Sequence, residues 1–212
     1  CYCNCAIWCN SCYSLIMALN INGTTGISGV DGSVSAPAVT GTDSNTGITF
    51  PSADTIKFAT GGVERMSITN TGVSASGHII QKVHQQSTTS QTTSGATKLD
   101  VLSLSITPAS SSNQILLLAQ LSAHMVPSSK GTSGVYIYRG GSAGSGTNVS
   151  HSISWRTDGN ETYANHGLSI IDTPNTTSAT TYHLTLARQS SDTNTVSTDG
   201  YTYSLIALEI AA

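Results

Sequence analysis

Charged side chains are scarce in this sequence. Lys, Arg, Asp and Glu make up 9% of its 212 residues, against about a quarter in typical soluble domains. The eight basic and eleven acidic residues leave a formal net charge of −3. Because nucleic acid and anionic lipid both attract basic surfaces, the composition argues against either partner.

Long hydrophobic runs are also missing. The nearest approach is "AIWCNSCYSLIMAL" at 6–19, which contains polar residues and is shorter than the roughly 20 apolar residues of a membrane span. We therefore expect no transmembrane helix. The sequence opens on Cys1 rather than Met, which favours a fragment or a processed product.

Hydroxyl side chains and glycine take the place of the missing charges. Apolar residues still make up 38% of the chain, and this fraction with a low net charge is unlike a disordered protein. Helix formers are few and β-branched residues are many, which predicts an all-β protein with many turns. Three regions follow from composition: 1–20, 21–77 and 78–212.

The first region, 1–20, holds all five cysteines. Cys9 and Cys12 have the C-x2-C spacing of a zinc site, although no second pair of ligands follows. Cross-links between chains, fatty acylation or a segment without any such role remain open alternatives. No cofactor is expected. The cysteines are Cys1, Cys3, Cys5, Cys9 and Cys12.

The second region, 21–77, contains a clear hairpin pattern. Ile56 and Phe58 alternate with Lys57, and Met66 and Ile68 repeat this period of two. Between the two runs, adjacent glycines allow the positive φ angles of a tight turn. The pattern predicts two paired strands with one thin apolar side.

This apolar side is too thin to fold alone. Its few apolar residues cannot offset the conformational entropy lost by ordering more than twenty residues. Identical chains side by side would bury the stripe and pair the strand edges. The segment therefore predicts a shaft in which three chains close an intertwined β-prism, with an interface formed by Ile56, Phe58, Met66 and Ile68.

The third region, 78–212, carries regularly spaced strand patterns separated by turn residues, as in a β-sandwich or jelly roll. The last pattern is apolar on both sides, so a neighbouring subunit is expected to cover one of them, and we include Leu205 and Leu208 in the predicted oligomer interface. The predicted strands are 78–84, 97–107, 114–124, 134–139, 148–156, 162–171, 180–188 and 201–210.

One turn in the third region is dense in the side chains that bind sugars. Aromatic faces stack on sugar C–H groups, while amides, carboxylates and guanidinium groups hold sugar hydroxyls. The alternative is that Trp155 plugs the sandwich and the turn is an ordinary hairpin. The candidate glycan-binding residues are Trp155, Arg156, Asp158, Asn160, Tyr163 and His166.

Catalytic patterns are weak. Glycoside hydrolysis needs two carboxyl groups across a cleft, and Asp158 with Glu161 is more typical of a turn. We expect no enzymatic activity. The six histidines contain no tight pair, so they do not predict a metal site either.

The sequence resembles tail fibre proteins of bacteriophages, particularly marine ones, over about 21–212. The most specific run is "GITFPSADTIKFATGGVERM" in the second region; "ITPASSSNQILLLAQLSAH", "VYIYRG", "DTPNTTSATTYHLTLAR" and "SLIALEIAA" resemble the C-terminal domains of the same proteins. The cysteines lie outside this resemblance.

The resemblance implies a homotrimeric virion protein outside the cell that binds the host surface. With the strand patterns, it predicts a shaft segment followed by a jelly-roll tip like those of tumour-necrosis-factor and C1q trimers. Expected partners are other tail, baseplate or fibre proteins and bacterial surface polysaccharide. A purely structural virion or extracellular filament protein and a bacterial surface adhesin are the alternatives.

Overall fold

The computed structural model of the chain forms two compact units, residues 1–70 and 71–212. All regular structure in the described residues is β-strand, and none of them belongs to a helix able to cross a membrane. The five cysteines lie outside the described residues, as does His151. The structure describes residues 20–22, 26–28, 31–94, 98–126, 130–142, 144–150, 153–158, 160–188, 195–198 and 200–212.

The first unit consists of short strands and one antiparallel meander, β5 to β8. Its strands are β1 (Asn20–Asn22), β2 (Gly26–Ser28), β3 (Gly32–Ser33), β4 (Ala36–Pro37), β5 (Val39–Thr40), β6 (Gly47–Ser52), β7 (Thr55–Thr60) and β8 (Val63–Thr69).

The predicted hairpin is confirmed as β7 and β8. Gly61 and Gly62 form its turn with φ values of 60° and 74°. Ile56 pairs with Ile68, and Phe58 pairs with Met66. The four predicted interface residues therefore lie on one side of the meander.

Burial in this meander is the reverse of that in an ordinary domain. Ile56 and Phe58 are only half-buried, whereas Thr49 and Ala59 on the opposite side are 0% and 2% exposed. Pro37 lies against that opposite side, since a Cβ added at Gly47 would come within 3.0 Å of the Pro37 Cβ. Small residues on one side of the meander are thus covered, whereas the large apolar residues on the other side are only half-buried.

The second unit contains the eight main strands that the sequence predicts and four short ones. Its strands are β9 (Gly72–Ser74), β10 (Ile79–Ser87), β11 (Thr92–Ser94), β12 (Lys98–Ile106), β13 (Gln114–Val126), β14 (Lys130–Arg139), β15 (Thr147–Asn148), β16 (Ile153–Asp158), β17 (Thr162–Asp172), β18 (Thr180–Arg188), β19 (Thr195–Ser197) and β20 (Tyr203–Ile210).

Two antiparallel sheets contain all of these strands except β9. In the first, the order is β10-β20-β13-β17, with β19 and β11 extending one end. In the second, the order is β12-β18-β14-β16, with β15 beside β14. The final strand, β20, lies between β10 and β13 in the middle of the first sheet.

This strand order is a jelly roll. If the eight main strands are lettered in chain order, one sheet holds the first, eighth, third and sixth, and the other holds the second, seventh, fourth and fifth. Such an order arises when a long antiparallel ribbon wraps into two facing sheets. The predicted all-β jelly-roll sandwich is confirmed.

The core lies between the two sheets. Alternate residues of β13, β18 and β20 point inward, and many of them are fully buried. Leu117 and Leu205 of the first sheet join Leu184 of the second in one hydrophobic cluster. Within the described residues, a single chain thus supplies both layers of this core.

Buried polar groups near the end of β20 form a network around Glu209. Its fully buried carboxylate accepts hydrogen bonds from the Ala109 amide (2.7 Å), Asn113 Nδ2 (2.6 Å) and Gln81 Nε2 (2.5 Å). Asn113 Oδ1 in turn accepts a hydrogen bond from the Ala212 amide. The network ties the last strand to the loop between β12 and β13.

Candidate functional site

The sandwich has two different ends. The chain enters β10 at Ile79, which pairs with Ile210, and β10 finishes at Ser87 opposite Tyr203. We call the end near Ser87 and Tyr203 the distal end, because it is farthest from the chain entry. The turn between β16 and β17 lies there, so all six predicted glycan-binding residues are near it.

Two of these six side chains pack into the interior of the sandwich. Trp155 packs against the core cluster, and its ring centroid lies 4.3 Å from that of His166, which is 6% exposed. Trp155 Nε1 and His166 Nε2 are buried and have no hydrogen-bond partner among the described residues. Burial lowers the pKa of His166. These rings plug the gap between the edge strands, as the alternative interpretation of the turn proposed.

Three others lie on the surface but apart from the first sheet. Arg156 and Asp158 are exposed on β16, which is an edge of the second sheet. Asn160 is exposed in the turn, where its carbonyl accepts a hydrogen bond from Thr162 Oγ1 at 3.2 Å. These side chains contribute polarity around the distal end without forming one site with Trp155.

Tyr163 is the one predicted residue that presents an aromatic ring to solvent. It is 59% exposed and lies opposite His124 in the pairing of β13 with β17. The two rings stack in parallel, with centroids 4.2 Å apart and an interplanar angle of 3°. Glu161 Oε2 lies 3.7 Å from His124 Nε2. The stack fixes the plane of the tyrosine ring.

A depression of about 340 Å³ lies beside this stack. Tyr163 and Tyr201 line it, and Tyr201 is 52% exposed. Ser122 Oγ donates a hydrogen bond of 2.6 Å to Asn165 Oδ1. The described residues that line it are Ser122, Ala123, Tyr163, Ala164, Asn165 and Tyr201.

Sequence reasoning missed His124 and Tyr201. The alternation in "QLSAH" could have placed His124 on the same side as Ser122, but only the strand pairing shows that Tyr163 is its neighbour. Tyr201 is the first residue of the predicted strand 201–210, but β20 begins only at Tyr203, so Tyr201 lies outside the strand. No local pattern indicated that it would line a depression together with Tyr163.

Hydrogen bonds through Thr198 hold the turn that carries Tyr201 in place. The Tyr201 amide donates to the Thr198 carbonyl, and Thr198 is fully buried. Thr198 Oγ1 accepts a hydrogen bond from the Gln91 amide at 2.9 Å and donates to the Thr89 carbonyl at 3.2 Å. Tyr203 Oη also donates to the Thr89 carbonyl. The position of Tyr201 is therefore set by partly buried hydrogen bonds.

The two interface residues predicted on β20 have different environments. Leu208 is partly exposed on the outer side of the first sheet, whereas Leu205 is fully buried in the core and offers no surface to a partner. Leu208 belongs to an aliphatic surface near the chain entry, which we call the proximal aliphatic face. Its residues are Ile79, Leu116, Leu118, Ile171, Ile206, Leu208 and Ile210.

Metal ligands do not converge in the part of the chain that the structure describes: no group of three or more His, Cys, Asp or Glu residues forms there. His183 Nδ1 lies 3.1 Å from Asp100 Oδ2, and Thr185 donates to the same carboxylate at 2.7 Å. This cluster is an imidazole and a hydroxyl beside one carboxylate, not a metal centre. Cys9 and Cys12 lie outside the described residues.

Comparisons with known proteins assign no family. No protein-family model matches the sequence. No curated protein matches it either.

Among solved structures, particles of infectious bursal disease virus are similar. The VP2 subviral particle is 12% identical at a TM-score of 0.35, covering 86% of this chain and 56% of that one. The Gx strain structure is 15% identical at 0.32, covering 68% and 41%. The chain spans about half the length of these proteins. TM-scores this low assign neither family nor function, so the jelly roll rests on its own strand order.

Proposed function

We propose that this chain is part of a homotrimeric virion tail fibre, in which the first unit contributes to an interwoven shaft and the sandwich is a tip that binds polysaccharide on a bacterial surface. The resemblance of 21–212 to phage tail fibres supports this function. Its other partners would be tail, baseplate or fibre proteins. We propose no catalytic activity and no cofactor.

The observation that carries the proposal is the reversed burial of the meander. Ile56, Phe58, Met66 and Ile68 line one side of paired strands and remain only half-buried in a single chain. Covering these side chains would contribute about 1.5–3 kcal/mol each. Copies of the same chain are the occupants that the resemblance implies.

The sandwich offers a second surface for the same assembly. Ile79 and Ile171 of the proximal aliphatic face are 50% and 58% exposed, and Leu208 lies between them in the sheet. In the second sheet, by contrast, none of the described strand residues is a large exposed hydrophobic residue. The proximal part of the first sheet's outer face therefore suits contact between subunits, and the outer face of the second sheet suits contact with water.

A trimer also fits the proposed recognition of polysaccharide. Individual sugar contacts are weak, and three tips on one stalk raise the effective affinity through simultaneous binding to a repeating ligand. The low charge of the chain suits this chemistry, because contacts through hydroxyl groups are little affected by salt.

Analytical ultracentrifugation of the full chain at micromolar concentration tests the assembly. We expect about 65 kDa, three chains of 21.8 kDa, with and without reductant. A well-folded species with the mass of one chain would contradict the proposal.

Incubation of the protein with purified host polysaccharide should leave the chain length of the polysaccharide unchanged. Progressive shortening of the polysaccharide would contradict the absence of catalysis.

A further inference from the structure

We propose that the depression between Tyr163 and Tyr201 is a binding subsite for a neutral saccharide. The inference rests on the proposed function and locates its ligand contact at the distal end of the first sheet. It also replaces Trp155, the aromatic residue most prominent in the sequence, with two tyrosines.

The Tyr163 ring has the form of a sugar-binding platform. One of its faces is stacked on His124 at 4.2 Å, and the residue nonetheless keeps 59% of its surface exposed. A ring held in a fixed plane can stack on the C–H groups of a pyranose without losing much side-chain entropy. Glu161 lies near His124 Nε2, and this contact helps to hold the imidazole in place beneath the tyrosine ring.

Tyr201 supplies a second aromatic surface. Its backbone is held by the buried Thr198, whose hydroxyl bonds to the segment between β10 and β11. The ring is thus exposed on an anchored turn rather than on a free loop. Two exposed aromatic side chains beside one depression are the combination expected of a carbohydrate site.

The polar groups of the depression match sugar hydroxyls. Since Asn165 Oδ1 accepts from Ser122, the amide nitrogen of Asn165 supplies donors and the Ser122 hydroxyl can accept. Among the described residues, no charged side chain belongs to the lining. A charged sugar would gain no opposite charge there, so the chemistry favours a neutral one.

A second depression carries less of this chemistry. It lies near Arg139 and His183, and the described residues that line it include no Tyr, Trp or Phe. Arg139 is bound to Asp172 at 3.0 Å, and Tyr182 donates to the same carboxylate. That network stabilises the proximal end and is distinct from the tyrosine-lined depression.

Saturation-transfer NMR on the full chain tests the inference. The probes are methyl glycosides of glucose, galactose, mannose and N-acetylglucosamine, with methyl glucuronide as the charged comparison. We expect millimolar binding of at least one neutral glycoside, with transfer concentrated on the C–H protons of one sugar face. Binding should not change between low and high salt.

Variants identify the residues. Tyr163→Leu and Tyr201→Leu should each weaken binding about tenfold, whereas Tyr163→Phe should bind nearly as the parent does. Tyr136→Leu is the matched control, since Tyr136 lies on the second sheet and outside the depression. Circular dichroism and sedimentation verify the fold and mass of every variant.

Four results would overturn the inference. Unchanged glycoside binding in both leucine variants would place the sugar elsewhere while leaving the proposed function intact. Preference for the glucuronide would refute the neutral ligand. Dissociation of the assembly in these variants would show that the tyrosines are subunit contacts. If the parent protein binds none of the glycosides, the inference fails together with polysaccharide binding, even where the trimeric mass is observed.

Discussion

The meander and the sandwich use the same strand alternation with opposite results. In the sandwich, Leu117 and Leu205 point inward and are fully buried. In the meander, Ile56 and Phe58 alternate just as regularly, yet Thr49 on the other side is the residue with no exposure. Alternation predicts which residues share a side, but it does not say which side is covered.

The difference lies in where the second layer comes from. The sandwich has a second sheet in the same chain, so its core is complete. In the described part of the first unit, the preceding residues lie against the small-residue side, as the proximity of Pro37 to Gly47 indicates. We therefore expect mutations in the sandwich core to alter folding, and mutations on the meander's aliphatic side to alter association.

The largest effect is expected from Leu205→Ala. This change leaves a cavity between the two sheets and should lower the free energy of unfolding by about 2–5 kcal/mol. Urea denaturation followed by circular dichroism measures the loss. Ser204→Ala, on the outer side of the same strand, should change stability by less than about 0.5 kcal/mol. Equal effects of the two changes would contradict the assigned core.

Phe58→Ser should act on association. The loss per chain is about 1.5–3 kcal/mol if the ring is fully buried between subunits, and sedimentation equilibrium should show a shift from trimer towards monomer. Phe58→Leu keeps an apolar side chain and should keep the trimer. Unchanged association of the serine variant would remove the main distinction between the two regions.

The pH dependence of His166 gives a smaller effect. Because burial lowers its pKa in the folded state, unfolding takes up a proton as pH falls below about 6.5, the usual value for histidine. Stability should be full above that pH and decline below it, by at most about 1.4 kcal/mol per pH unit.

Thermal unfolding at a series of pH values between 5 and 8, a range chosen about the usual histidine pKa, measures this slope. His166→Gln should flatten it, and His84→Gln, a change at an exposed histidine, should not. A slope that survives in the His166 variant would exclude this residue as its source.

The smallest effect concerns Lys57 and Glu64. Their ion pair of 2.7 Å is partly exposed, and the hydrogen bond from Lys57 lowers the pKa of Glu64. Glu64→Gln should cost less than about 1 kcal/mol, and high salt should reduce that cost. The contribution should also disappear as pH falls below the usual range of a glutamate. Urea midpoints at two salt concentrations measure it, with Lys82→Gln as the control.

Periodicity predicted the sandwich well. All eight predicted strands correspond to main strands, although 148–156 is divided into β15 and β16. "TYHLTLAR" alternates as expected because Tyr182 and Leu184 face the core. Local patterns succeed here because each of these strands packs one side against the facing sheet.

The candidate site was predicted less well, because it depends on pairing between distant segments. Trp155 was predicted to bind sugar as part of a cluster of aromatic and polar side chains, yet its ring packs against the core of the sandwich. His124 and Tyr163 are 39 positions apart in number and opposite each other in the sheet. Such a neighbour follows from strand register, which the residues near either one do not specify.

The position of β20 sets the order in which the first sheet can close. Because this strand lies between β10 and β13, those two strands share no neighbour until residues 203–210 are in place. The pairing of β13 with β17, by contrast, involves no residue of β20. Removing residues 203–210 would therefore take away the centre of the sheet rather than its edge.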